Sequence, residues 1–309
     1  MELLRVRPRP FDVLTFGYFT VVALLVTIFH TKVPRWYEFP VSFAIAALAV
    51  CALIRAYELR PENRVIALLR WAYPLVFSIV LYGSIDRYVL VLRGHFVDAG
   101  MNSWERAAFG GHPNVVIDRI ASPPLTEFLY ACYFGFYLFF LVPPLVLVGK
   151  RRYDDLERYV FALMAALYAC YLGFLFVPLM GPSASLAGQF RQNNLTGYVI
   201  VPLQKYIMAK GDPVGACFPS AHVAGAWTAM FAIRSIFGRR AFWMTFPFAV
   251  GLTVAVVYTR YHYLSDAFAG LTVAALAYAL VRARNWRLVA GRQSAPEPAQ
   301  AEFPEGLTA

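Results

Sequence analysis

The feature that most constrains this chain is a series of long apolar stretches, about eight of them, each roughly 18 to 25 residues. That is enough for a helix to cross a hydrocarbon core of ~30 Å. Runs such as VVALLVTIF and FAIAALAVCALI are continuously apolar, with none of the in-and-out alternation that a transmembrane β-barrel requires. With 60% hydrophobic and 15% charged residues over 309 positions, a soluble domain of any class is excluded. The expected fold class is therefore all-α, a polytopic membrane bundle of about eight spans. They are placed at about 11–30, 40–59, 70–92, 126–149, 158–179, 218–237, 241–260 and 263–284.

A net charge of +10 reads first as a topology signal. Alternate connections carry Arg5, Arg7 and Arg9; Arg60, Arg64 and Arg70; Lys150, Arg151, Arg152 and Arg158; Arg239 and Arg240; and Arg282, Arg284, Arg287 and Arg292. By the positive-inside rule these face the cytoplasm, with both termini. The longer intervening segments hold fewer basic residues, Arg93, Arg106 and Arg119 in one and Arg191, Lys205 and Lys210 in the other, and are placed on the outer face. The protein is expected in the plasma or inner membrane, and its charge implies no nucleic-acid partner.

Cys51, Cys132 and Cys170 fall inside apolar spans as small packing residues, and Cys217 has no obvious partner, so neither a disulfide nor a metal spacing is visible. The basic N-terminus and first apolar run read as an uncleaved first span, because the run is about twenty residues long and lacks a small-residue cleavage pattern. The end, QSAPEPAQAEFPEGLTA, has the composition of a disordered cytoplasmic tail.

Two segments depart from the pattern of spans and short connections. The first, about 93–125, contains FVDAGMNSWERAAFGG and HPNVVIDRIASPP; the second, about 181–217, contains GPSASLAG, TGYVIVPLQKYIMA and GDPVGACFPS. Both read as interfacial helices that together form a cap on the outer face, suited to holding a lipid headgroup while its tails stay in the bilayer.

The chemistry-bearing residues lie at the outer ends of the last spans. In CFPSAHVAGAWTAMF, Pro219 and Ser220 open a helix and His222 follows. Free N–H groups and the dipole at such a start favour an anion, with the Ser220 hydroxyl beside it and His222 placed to move a proton. In VVYTRYHYLSDAFAGLTVAAL, His262 and Asp266 stand four apart on one helical face. A carboxylate there can hold the imidazole Nδ1–H and leave Nε2 free as a nucleophile. One such feature arises easily by chance. Two on one membrane face point to function, since ionisable residues near spans are costly. His30, His95 and His112 lack this context.

FPSAH followed by HYLSD and AFAG resembles the second and third signature motifs of the type 2 phosphatidic acid phosphatase (PAP2) superfamily. The resemblance covers about 70–284. It implies a six-helix catalytic core there, two additional N-terminal spans over 1–69 and a tail over 285–309. It also implies His222 as acid–base, His262 as the nucleophile that becomes phosphorylated, and Asp266 as its orienting carboxylate. The phosphoryl group then passes to water or an alcohol. No metal is expected, because neither histidine motif has a second His or Cys at a ligand spacing and the carboxylates are committed elsewhere, and no other cofactor is expected.

The family's third-motif Ser-Arg is replaced here by Ala255 and Val256, and its first-motif Lys and Arg-Pro by VPLMGPSAS, with Gly181, Pro182 and Ser183. That departure is similar to the branch of inositol phosphorylceramide synthases and related sphingolipid phosphotransferases. Arg260 and Arg191 are the nearest replacement cations, and Ser220, Gly181 and Pro182 complete the expected substrate contacts. The expected substrate is a lipid phosphate or phospholipid entering from the membrane. A lipid transporter or flippase that kept the scaffold without the chemistry, or a structural membrane protein, remains the alternative.

Overall fold

A computed structural model describes residues 8–283 apart from 193 and 212. The expected tail over 285–309 and the basic residues Arg5, Arg7, Arg284, Arg287 and Arg292 lie outside the described residues. Those described form helices and connections with no strand.

Three helices come first, α1 (Pro10–Ile28), α2 (Glu38–Leu59) and α3 (Arg64–Tyr82). Pro10 opens α1 with Asp12 in its first turn, and the Asn63 side chain caps α3 by accepting from the backbone of Val65 and Ile66. Short helices α4 (Asp98–Phe109) and α5 (Pro113–Asp118) follow. Then come α6 (Pro123–Phe134) and α7 (Phe136–Gly149), which read through Gly135 as one apolar span, and α8 (Tyr153–Phe176). A single turn α9 (Pro182–Ser185) and the helix α10 (Ile200–Gly211) precede α11 (Ala221–Ile236), α12 (Gly238–Tyr258) and α13 (Leu264–Ala283).

Among the described residues seven helical stretches are long and apolar enough to cross a membrane, and α11, which packs among them, has 16 residues. The protein is an integral, multi-pass membrane protein. Large apolar side chains such as Leu48, Ile45, Ile79 and Leu141 stand outward on the helices that surround α8 and α11. A helix facing lipid has no reason to hide them.

The core is α8 and α11. Helix α8 packs on α1, α3, α7, α11 and α13, and α11 packs on α7, α8, α12 and α13. Small residues permit this: Ala224, Gly225, Ala226 and Ala229 line α11, and without a hydrophobic drive between helices in lipid, close van der Waals packing must hold them together. Two glycines fix how close the neighbours come. A Cβ on Gly270 of α13 would lie 2.7 Å from the Ser220 carbonyl, and one on Gly173 of α8 would lie 2.5 Å from Pro219 Cδ. Both helices are thereby drawn onto the first turn of α11, where His222 sits.

The structure shifts three expected spans, and the fifth, expected at about 158–179, runs Tyr153–Phe176 and takes Arg158 into its second turn. The third ends at Tyr82 rather than near 92, because Gly83, Ser84 and Asp86 break the apolar run into turns, and it begins at Arg64. Arg70 is therefore no connection residue. It lies in α3 with 1% exposure, bonded to Asp12 of α1. The sixth expected span, about 218–237, narrows to Ala221–Ile236.

Candidate active site

Successive spans alternate in direction, so the start of α11, the end of α12 and the start of α13 meet at one end of the bundle. Ser220 caps α11: its hydroxyl accepts from Val223 N, and its own N–H donates to the Asp266 carbonyl at 3.0 Å. This places His222 in the first turn of α11, 9% exposed, with Nε2 2.9 Å from the Tyr133 hydroxyl and its ring packed on Phe136.

Helix α12 ends at Tyr258, and the chain reverses through Thr259 to Tyr263. Arg260 takes a positive φ of 67° there, a conformation costly for a residue with a Cβ and tolerated only where surrounding bonds over-determine it. Those bonds are present. The Arg260 carbonyl accepts from Ser183 N, and the guanidinium pairs with Asp118, donates to the Gln192 carbonyl and lies 4.0 Å from the Phe190 ring centre. The reversal presents His262, 4% exposed, with its ring centre 6.1 Å from that of His222.

Behind His262, Nδ1 lies 2.9 Å from the Cys217 carbonyl and 3.4 Å from Asp266 Oδ2. Two acceptors facing Nδ1 place the proton there and leave Nε2 with its lone pair. Asp266 is fully buried, and its Oδ2 also accepts from Tyr263 N and from the Cys217 thiol, both at 2.9 Å. Burial, reinforced by the Asp266 carboxylate, pushes the Cys217 thiol well above its ordinary range, so at neutral pH it is a protonated donor. The cysteine for which the sequence offered no partner thus has one.

Both histidines line a cavity of about 250 Å³ walled also by Tyr82, Tyr133, Tyr261, Ser183 and Cys217. A second, apolar cavity of about 400 Å³ runs between α3, α7, α8 and α10 and shares His222, Tyr82 and Met208 with the first. Tyrosine hydroxyls and imidazoles thus meet a greasy channel at His222.

A family model for the PAP2 superfamily matches residues 101–280, more than half of the chain. The chain belongs to the PAP2 superfamily. No curated protein and no solved structure matches it.

Among the residues singled out from sequence, the fold brings His222, His262 and Asp266 together and distributes the others around them. Gly181 and Pro182 sit at the turn leading into α9; Gly181 has φ 91°, and a Cβ there would lie 3.2 Å from the Tyr261 carbonyl and 3.4 Å from Cys217 Sγ. Their neighbours Met180, Ser183 and Ala184 line the cavity. Ser220 is fully buried in its capping role. Arg260 is 6% exposed and engaged with Asp118, and Arg191 is exposed, tied by its backbone N–H to that same aspartate at 2.7 Å.

The first of the two segments expected to be interfacial bonds directly to the turn that carries His262 in this PAP2 chain. Asp98, at the start of α4, accepts from Met180 N, Gly181 N and the Tyr263 hydroxyl at 2.9, 3.0 and 3.1 Å. Seven residues on, and so on the same helical face, Glu105 accepts from the backbone and hydroxyl of Ser265 at 3.0 and 2.8 Å. Asn114 of α5 donates to the carbonyls of Val257 and His262 at 2.8 and 2.9 Å. Helices α4 and α5 form a strap across the turn that carries His262. Burial raises the Glu105 carboxyl above its ordinary range. The second interfacial helix, α10, is held by Glu127 of α6, whose carboxylate accepts from Tyr198 N and Val199 N at 2.7 and 2.8 Å.

Sequence reasoning missed Asp98, Asn114, Tyr133 and the role of Cys217. Two carboxylates seven apart on an amphipathic helix were a usable signal for α4. Nothing local marks Tyr133, one of many aromatics in its stretch.

Proposed function

We propose that this PAP2 protein is a lipid phosphatase or phosphotransferase working through a phosphohistidine at His262. The observation that carries the reading is the pair of histidines on one cavity wall, with Nδ1 of His262 fixed from behind by Asp266 and the Cys217 carbonyl. In the first half, Nε2 of His262 bonds to phosphorus, the bond to the leaving oxygen breaks, and His222 gives that oxygen a proton. In the second, water or an alcohol attacks phosphorus, its proton passes to His222, and the P–N bond breaks. Asp266 stabilises the imidazolium character that His262 acquires, the role that an aspartate has in a serine-protease triad.

The apolar cavity supports a lipid substrate, because it opens beside His222 where a tail could lie while phosphate enters the polar cavity. Ile207 and Met208 of α10 line it, which gives the interfacial helix a part in receiving the tail. Among the described residues the polar side chains on the first cavity's wall are the tyrosine and serine hydroxyls, the Cys217 thiol and the two imidazoles, without lysine or arginine. Such a wall suits a phosphodiester with one negative charge better than a monoester, whose second ionisation near pH 6 adds another. This favours transfer of a phosphorylated headgroup to an alcohol, as in the inositol phosphorylceramide synthase branch that the motifs resemble.

The basic residues Arg60, Lys150, Arg151, Arg152, Arg239 and Arg240 belong to the bundle end remote from the histidines, which by the positive-inside rule supports an active site on the outer face. Helices α1 and α2 are read as an addition to a catalytic unit spanning 70–284. The test is an assay on purified protein with a panel of phospholipids and lipid phosphates, with and without inositol or another polyol. Headgroup transfer dependent on the alcohol supports the transferase reading, and release of inorganic phosphate to water supports the phosphatase. Turnover of neither class would overturn both and leave a non-catalytic lipid transporter.

A further inference from the structure

Two chain segments 45 residues apart bring three ligand-type side chains together. Cys217 Sγ lies 2.9 Å from Asp266 Oδ2 and 3.7 Å from His262 Nδ1, and these last two atoms are 3.4 Å apart. We propose that Cys217, His262 and Asp266 form a binding site for a thiophilic divalent cation of the zinc class, and that an ion held there switches His262 out of its reactive state. The binding rests on the geometry alone, whereas the switch rests on the reading of His262 as nucleophile.

The distances fit. Zinc bond lengths of about 2.3 Å to sulfur and about 2.0–2.1 Å to nitrogen and oxygen, at tetrahedral angles, separate the ligand atoms by roughly 3.3–3.6 Å. Two of the three separations already match within a few tenths of an ångström. The third, now a thiol–carboxylate hydrogen bond, opens by roughly 0.6 Å when a metal replaces the proton. A sulfur, nitrogen and oxygen set is the choice of zinc or cadmium, whereas magnesium and calcium take oxygen alone.

Two further observations point to a ligand. The other Asp266 oxygen, Oδ1, is fully buried and has no hydrogen-bond partner among the described residues, so the carboxylate retains acceptor capacity that protein donors do not fill. Cys217 and His262 also line the 250 Å³ cavity, which gives an ion a route in.

Occupancy has a defined chemical consequence. The cation takes the Nδ1 lone pair, so the imidazole proton moves to Nε2; the thiol proton leaves to solvent, and the carboxylate is unchanged. One metal enters and one proton departs, with no change in oxidation state. Nε2, now protonated, has no lone pair with which to attack phosphorus.

The experiment uses the full chain in detergent, freed of metal with a chelator and titrated with cadmium alone. Formation of an ultraviolet thiolate-to-cadmium charge-transfer band is measured, and phosphoenzyme formation is followed in parallel, each variant being compared with its own metal-free sample. The expected result is one cadmium per chain. The band should persist when Cys51→Ser, Cys132→Ser and Cys170→Ser are combined. In Cys217→Ser it should be lost, with affinity reduced at least by the roughly 10–100-fold that removing even an outer partner costs. Cadmium should block phosphoenzyme formation in the wild type and not in Cys217→Ser. A band that survives Cys217→Ser, or no band in the wild type, overturns the site. A Cys217-dependent band with undiminished phosphoenzyme overturns the switch. If the metal-free wild type forms no phosphoenzyme while the band still depends on Cys217, the cation site stands and the catalytic reading falls.

Discussion

The two ends of the bundle both bury acidic side chains, and they use them differently. At the end away from the histidines, Asp12 of α1 takes both arms of Arg70 and the hydroxyl of Tyr73, and accepts from Arg9 N at 2.6 Å. Arg9 in turn reaches Glu157 of α8 and lies 4.3 Å from the Trp71 ring centre. This cluster is largely side chain to side chain, with charge answering charge, and it fastens α1 to α3 and α8. At the end that carries the histidines Asp118 also meets a guanidinium, that of Arg260, whereas Asp98, Glu105 and Asn114 bond chiefly to backbone groups of the segments that carry Gly181, His262 and Ser265. A carboxylate bonded to a guanidinium secures which helices are neighbours. One bonded to successive amides fixes the path of a loop, which is what a site needs when misplacement by about 1 Å can cost about 10²-fold in rate.

The sharpest way to break this contrast is Asp12→Ala. It leaves Arg70, 1% exposed, as an unpaired buried charge, and the expected loss is about 3–5 kcal/mol of stability with turnover per folded molecule unchanged. Thermal unfolding beside specific activity measures both, and a fall in turnover would make the two ends alike. Asp98→Ala should do the reverse. It orphans two amides at about 1–3 kcal/mol each and removes one of two partners of the Tyr263 hydroxyl, which keeps Ser185, and the expected fall in kcat is on the order of 10²-fold, larger than any change in the amount of folded protein.

What could be read from the sequence follows the same division. His222, His262 and Asp266 were legible because each motif is local: a proline-serine helix start and a four-residue spacing on one face. Arg70 was misread as a topology charge because its partner Asp12 lies 58 residues earlier and an arginine near a helix end looks like a flank. Asp98 and Asn114 bond across 165 and 148 residues, and no periodicity in one sequence encodes such a pair. The all-helical fold was legible because apolar length is a property of a window. The end of the third span was not, because the aromatic and aliphatic residues after Gly83 kept the window apolar while the turn residues broke the helix.

A smaller effect probes the contact between α11 and α13. Gly270→Ala places a Cβ against the Ser220 carbonyl, and the expected cost is about 1–3 kcal/mol, with some loss of activity because α11 and α13 part at His222 and Asp266. An unchanged melting temperature would show that the two helices have slack there. The smallest effect is expected of Glu105→Gln. Burial raises the Glu105 carboxyl, so its contribution to stability is fully present below the unfolded value of about 4.3 and is lost as pH rises through the raised folded value. The amide removes that dependence while still accepting from Ser265, so melts across the acid range should flatten relative to the wild type. An identical pH dependence in both proteins would remove Glu105 from the account.

The central claim is that His262 is the group that becomes phosphorylated, and the most direct test is to trap the enzyme intermediate with an activated phenolic phosphoester. Such a leaving group departs without a proton. The account predicts an acid-labile, base-stable phosphoenzyme in the wild type and in His222→Ala, where its later transfer is slow, a reduced amount in Asp266→Asn, and none in His262→Ala. A normal phosphoenzyme, or normal lipid turnover, in His262→Ala would contradict it.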